Sequence, residues 1–401
     1  MSMGYSKKTA PPPRIGLPST SGVQRSVSSA GAALWLVGSL FLAAVLFSGP
    51  AKAQPVPSTV DSIGRALADD HPGGAVIGLL HDEEMSVHTF GAADSTDTEP
   101  TARTLFEIGS VTKTFTGLLL AERVERGRLR PKTPVAGLLP DSVTVTRADS
   151  VDDAPMTLAH LATHRSGLPR LPSNFRAVMD APQDPYAAYG DSALYAFLDD
   201  YTLSQTPGTH YQYSNLGAGL LGHLLARRAD TTYAALVRQR IAAPLGLSDT
   251  RMHLSDEQSD RQAQGHNHLG VPVSPWHFEA LAGAGGIRST AADMLVYLRA
   301  HRSALWASPD TTSVLAQALR HALTPQAETG RENTRIGFGW HEIVRDGHRI
   351  AWHNGGTGGF KSFVGLDRAT GRGVVVLVNA SLPSETVDGA ALRLLKHLRP
   401  D

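Results

Sequence analysis

Gly373-Val374-Val375-Val376-Leu377-Val378 carries no polar side chain across six consecutive positions. A short apolar run rich in β-branched residues reads as a strand buried on both faces. Such a strand needs cover on two sides, which points to a sheet flanked by helices. Other strand patterns lie at both ends of the chain. Residues 75–80 and 85–90 read as a hairpin around the acidic tip Asp82-Glu83-Glu84, and residues 336–344, 349–353 and 360–366 read as strands near the C-terminus. Helical spacing recurs over residues 60–68 and 390–398, and through the middle over 156–164, 191–201, 216–228 and 233–241. The expected fold class is therefore α/β (α+β): an antiparallel sheet from both chain ends, flanked by helices, with an inserted all-helical region. The expected limits are 54–134 and 281–401 for the two parts of the α/β domain and 135–280 for the helical insertion.

Composition narrows the chemistry. The 401 residues carry zero net charge and only 18% charged side chains, so no nucleic-acid partner is expected. The absence of Cys excludes disulfides, thiolate catalysis and Cys-ligated metals. Lys7, Lys8, Arg14 and Arg25 precede an apolar run over residues 32–47, and Ala51-Lys52-Ala53 supplies the small residues a signal peptidase reads. Residues 1–53 are expected to be an export signal cut after Ala53, giving a periplasmic or secreted protein. The alternative is an uncut anchor through residues 32–47, and a membrane contact is expected only in that case.

Three polar stretches stand at expected strand and helix ends. In Gly109-Ser110-Val111-Thr112-Lys113, a helix start places Ser110 and Lys113 on one face, three residues apart. A serine hydroxyl becomes a nucleophile when a base takes its proton, and lysine is a base when burial or a second cation lowers its pKa. In Tyr211-Gln212-Tyr213-Ser214-Asn215, a tyrosine can act as acid or base and an amide can hold a substrate. The plainer alternative is an Asn215 N-cap with packing tyrosines. In His353-Asn354-Gly355-Gly356, glycines permit close backbone approach and an edge N–H can complete an oxyanion hole, or the stretch is a glycine-rich connection. Gly283-Ala284-Gly285-Gly286 fails the dinucleotide fingerprint and reads as a tight turn for close packing, with a place beside the active site as the other option. His160 and His164 have helical spacing but lack the glutamate of a His-Glu-x-x-His site, and His266 and His268 have no obvious third ligand.

Together, Ser110-Val111-Thr112-Lys113, Tyr213-Ser214-Asn215 and His353-Asn354-Gly355 resemble the three ordered motifs of the serine β-lactamase and penicillin-binding-protein superfamily. The tyrosine form of the second motif is similar to class C β-lactamases, D-Ala-D-Ala carboxypeptidases and related esterases. The resemblance spans residues 60–400 and implies a β-lactamase/transpeptidase-like fold and a serine hydrolase acting through an acyl-enzyme. It implies Ser110 as nucleophile and Lys113 and Tyr213 as the proton-handling residues, without deciding which is the base. Asn215, His353 and Gly355 would bind substrate, Asn215 also steadying Lys113. The backbone N–H groups of Ser110 and Gly356 would form the oxyanion hole. No metal or cofactor is implied. The expected partner is a small-molecule or peptide substrate, peptidoglycan fragments included; the alternative function is a non-catalytic penicillin- or peptidoglycan-binding module. His353 departs from the family's common lysine. It implies weaker reliance on a substrate carboxylate, or recognition that improves below about pH 6.5 as the imidazole gains charge.

Overall fold

A computed structural model describes residues 58–69, 71–308 and 313–398; the expected export signal and anchor lie outside them. Helix α1 (Ser58–Ala68) leads into the hairpin β1 (Gly74–His81) and β2 (Glu84–Gly91). Helix α2 (Thr112–Glu125) follows a single 3₁₀ turn, Gly109–Val111. The middle of the chain contributes α3 (Asp191–Asp200) and α4 (Asn215–Arg228), and then come α5 (Ala291–Trp306) and α6 (Val314–Leu323). The C-terminal strands are β3 (Ala327–Glu328), β4 (Thr334–Ile336), β5 (His341–Arg345), β6 (His348–Gly356), β7 (Lys361–Asp367) and β8 (Gly373–Val378), closed by α7 (Ser384–His397).

These strands form one eight-stranded sheet in the order β2-β1-β8-β7-β6-β5-β4-β3, with every neighbouring pair antiparallel. The two chain ends meet where Ala75 opposes Val378 and Leu80 opposes Gly373. The apolar run of β8 explains the layering. Val375 and Leu377 enter the core shared with α2 and α5, while Val374, Val376 and Val378 enter a second core under α1 and α7. All five are fully buried, each contributing roughly 1.5–3 kcal/mol before entropy is counted. Among the described residues, no helix is long and apolar enough to cross a membrane.

Two local differences from the expected elements have physical causes. The alternating run over residues 336–344 is two strands, because Gly339 at φ +75° breaks it and presses against α2. Ser214, not Asn215, caps α4: its hydroxyl accepts from the Gly217 N–H at 2.8 Å.

Strand β6 extends beyond its partner on one side. Pairing with β5 stops at His341–Trp352, whereas pairing with β7 continues to Gly356–Lys361. Among the described residues, 353–356 therefore form the last segment of β6 with no strand beside them on the β5 side.

Candidate active site

The turn carrying Ser110 is fixed from two sides. Phe106 and Glu107 pair with Ser289 and Arg288, and the Ile108 N–H donates to Ile287 O at 3.1 Å. From the sheet, the Ser362 hydroxyl donates to Ile108 O at 2.8 Å. Backbone then meets backbone. A Cβ at Gly355 would lie 2.1 Å from Ile108 O, and one at Gly109 would lie 2.6 Å from the Gly356 nitrogen. Gly109 also has φ +48°, a region open to glycine at little cost. The end of β6 can thus touch the Ser110 turn only because both contact points lack side chains.

On that turn, Lys113 Nζ lies 2.9 Å from Ser110 Oγ and donates to Ala284 O at 2.6 Å. The glycine turn over residues 283–286 serves both expected purposes: Ala284 flanks the site, and a Cβ at Gly283 would lie 2.9 Å from Gly222 Cα. Lys113 is 2% exposed. Burial first, and the nearby Arg170 second, push its pKa well below the ordinary lysine value. Tyr213 lies near both side chains, with Lys113 Nζ 5.0 Å and Arg170 Cζ 5.1 Å from its ring centroid. Burial pushes the Tyr213 phenol up, opposed by its hydrogen bond with Ser110 and by Arg170. Ser110, Lys113 and Tyr213 are therefore brought together as one polar unit.

Asn215 is differently engaged. Its amide nitrogen donates to the Tyr186 hydroxyl at 3.1 Å, its Oδ1 is buried without a partner, and Lys113 bonds Ala284 in place of it. His353 is 1% exposed and its Nδ1–H donates to Asn354 O at 2.6 Å, which leaves Nε2 as the bare nitrogen. Burial, His341 and Lys113 hold its pKa well below 6.5. The expected gain of charge near pH 6.5 is thus corrected: this imidazole stays neutral there. His353 stands in a buried group with His341, 5.1 Å away between ring centroids, and His164, 6.4 Å from His341. His164 Nδ1 accepts from the Ser214 N–H at 3.2 Å, and Tyr211 pairs with His341 Nε2 at 2.8 Å. Among the described residues no group of three His, Cys, Asp or Glu side chains has metal-binding geometry.

A family model described as Beta-lactamase matches residues 60–398. The chain belongs to the Beta-lactamase family. Curated relatives include a β-lactamase of Pseudomonas fluorescens, 26% identical and covering 86% of this chain and 98% of its own, and one of Escherichia coli K12, 26% identical over 81% and 89%. An unguisins hydrolase of Aspergillus campestris is also 26% identical, over 82% of this chain and 62% of its own length. Among solved structures, a β-lactamase/D-alanine carboxypeptidase from Pseudomonas syringae aligns at TM-score 0.72 and 22% identity, over 85% of this chain and 99% of its own. A class C β-lactamase aligns at TM-score 0.72 and 22% identity, over 86% and 96%. The Beta-lactamase fold, read from the three motifs, is what the chain adopts.

Within this family frame, sequence reasoning missed the site's wider walls. One cavity of about 770 Å³ is lined by Ser110, Tyr213, Gly355 and Gly356 together with Arg170, Arg331, Lys361 and Asp388. Arg170 directly follows Pro169, beyond the expected helix over residues 156–164 and outside the three motifs. Lys361 and Asp388 lie in an expected strand and before an expected helix, with no local pattern to mark them.

Proposed function

We propose that the protein is an exported serine hydrolase of the Beta-lactamase family, acting through an acyl-enzyme on an amide or ester: a D-Ala-type peptide, a β-lactam or a small ester. The observation that carries this reading is the 2.9 Å approach of a buried Lys113 to Ser110. A lysine held below its ordinary pKa has a lone pair to receive the serine proton. Ser110 Oγ then attacks the carbonyl carbon, and the backbone N–H groups of Ser110 and Gly356 receive the oxyanion. Tyr213, pushed upward, keeps its proton at neutral pH and is suited to pass it toward the leaving group. The directions of these two shifts favour Lys113 as base and Tyr213 as acid. Lys113 then returns its extra proton to Tyr213 along the side of Ser110 that both groups flank. With both restored, water attacks the ester, Lys113 takes the water proton, and Tyr213 protonates the departing Ser110 Oγ as the acid product leaves. The neutral His353 in place of the common lysine favours peptidase or esterase chemistry over β-lactam turnover.

Intact-mass measurement with a penicillin and with an activated short-chain ester tests the reading. The native protein is expected to gain an acyl mass that Ser110→Ala does not. A lasting penicillin adduct indicates a peptidase, fast turnover a β-lactamase, and ester turnover alone an esterase. An adduct that persists in Ser110→Ala, or no adduct and no consumption of either compound, overturns the assignment of Ser110.

A further inference from the structure

The third motif offers no positive charge to the cleft, because His353 is buried and neutral. A cation reaches the same place from the next strand. The register of β6 and β7 sets Lys361 opposite Gly356. A Cβ at Gly356 would lie 3.1 Å from Lys361 Nζ and 3.3 Å from its Cδ, so the lysine arm lies along the face that glycine leaves bare. This ammonium therefore stands beside the backbone unit assigned to the oxyanion hole. Lys361 is half-buried, and Nζ donates to the Ser384 hydroxyl at 3.2 Å. Among the described residues no carboxylate lies within ion-pairing distance of it, and an ammonium with three donors and one hydroxyl partner there retains capacity for an anion.

The surroundings form a built site. Lys361, Ser384, Asp388 and Asn354 line the cavity that holds Ser110. Asp388 Oδ2 accepts from Asn354 Nδ2 at 2.8 Å, while Asp388 Oδ1 is buried without a partner. The charge of Asp388 acts on Lys361 without a direct ion pair.

We propose that Lys361 is a specificity-determining residue that binds a carboxylate carried by the substrate near its scissile bond, and that Asp388 competes with this carboxylate for the same ammonium. The proposal rests on the serine-hydrolase reading above and names the substrate class within it. The carboxylate replaces the distant Asp388 as the main partner of Lys361, aided by the Ser384 hydroxyl. The charged groups acting on Asp388 are Lys361 from β7 and Glu385 from its own helix, with neutral Asn354 from β6. Burial raises Asp388 to about 6, so its competition fades as pH falls through that value.

The test uses two acyl esters alike except at one group, one of 3-hydroxybenzoic acid and one of 3-hydroxybenzamide. The readout is the ratio of their KM values, which is internal to each protein and insensitive to the folded fraction. In the native protein the carboxylate ester is expected to be favoured by about tenfold or more, as for a hydrogen bond to a charged group. Lys361→Met should bring the ratio near unity, Lys361→Arg should keep part of it, and Asp388→Asn should enlarge it. The native preference should grow between pH 7 and 5, and this growth should vanish in Asp388→Asn. No preference in the native protein, or a ratio unmoved by Lys361→Met, overturns the proposal. If neither ester is hydrolysed, the hydrolase reading is decided separately by the acyl-mass test with Ser110→Ala. Calorimetric binding of 3-hydroxybenzoate against 3-hydroxybenzamide then decides Lys361, with equal binding overturning the site and a Lys361-dependent preference upholding it.

Discussion

Lys113, which we propose as the base, has a usefulness and a cost with one origin. Burial removes the water that would stabilise its ammonium form, so the amine is available to Ser110 and the fold gives up the solvation of a charge. The sign follows from proton counting. The unfolded chain protonates this lysine up to its ordinary value near 10.5, whereas the folded protein does so only well below it. Between those limits the unfolded state binds more protons, so the Lys113 contribution improves stability as pH rises and penalises it toward neutrality. Lys113→Met is therefore expected to lower acyl-transfer rates by about 10²–10⁴ and to raise the thermal midpoint by about 2 °C. Steady-state kinetics and calorimetry check the two halves. A variant that loses activity and also melts lower would count against the buried-base account.

At the scale of elements, the site depends on how closely α2 can approach the strand break over residues 337–340. A Cβ at Gly117 would lie 2.0 Å from Phe338 O, and one at Gly339 would lie 2.1 Å from Lys113 O. The helix that carries Lys113 is thus seated on bare backbone. Gly117→Ala is expected to cost about 3 kcal/mol despite the better helix propensity of alanine, because overpacking outweighs propensity here. Denaturant unfolding measures it, and a stabilised Gly117→Ala would refute the close seating. The sequence showed α2 plainly, through Val111, Phe115, Leu118 and Leu119, and showed Ser110 with Lys113 because their spacing is local. It could not show why a glycine stands at position 117 inside the helix, since the reason is a carbonyl far along the chain. Arg170, His341 and Lys361 were silent for the same cause: sheet register and loop course, not spacing, bring them to the cavity. Asn215 was read as the neighbour of Lys113, yet Tyr186 holds its amide, a contact made by a loop whose path has no periodic signal. Helix α6 also went unread, although Leu315, Ala318, Leu319 and Ala322 recur at helical spacing.

The whole molecule is closed by its ends. Pairing of β1 with β8 joins residues separated by nearly the full domain, and α1 and α7 cover the same face of the sheet. Helix α7 places Val387, Ala390, Ala391, Leu394 and Leu395 in that outer core. Deleting residues 384–398 is expected to abolish the cooperative melting transition, because it uncovers β8 and β1 together. Circular dichroism would reveal the loss; a sharp transition in the shortened chain would show that α7 is dispensable.

Because the Ser110 turn lies in the first half of the chain and the strand end that touches it lies in the last, the candidate site has no existence in either half alone. During synthesis, residues 58–125 emerge with Ser110 and Lys113 already in place along the sequence, yet β1 has no β8 to lie against until the final strands appear. The contact between the Ser110 turn and the end of β6 is thereby withheld from the growing chain. The fold carries its own delay, written into the order in which its strands are made.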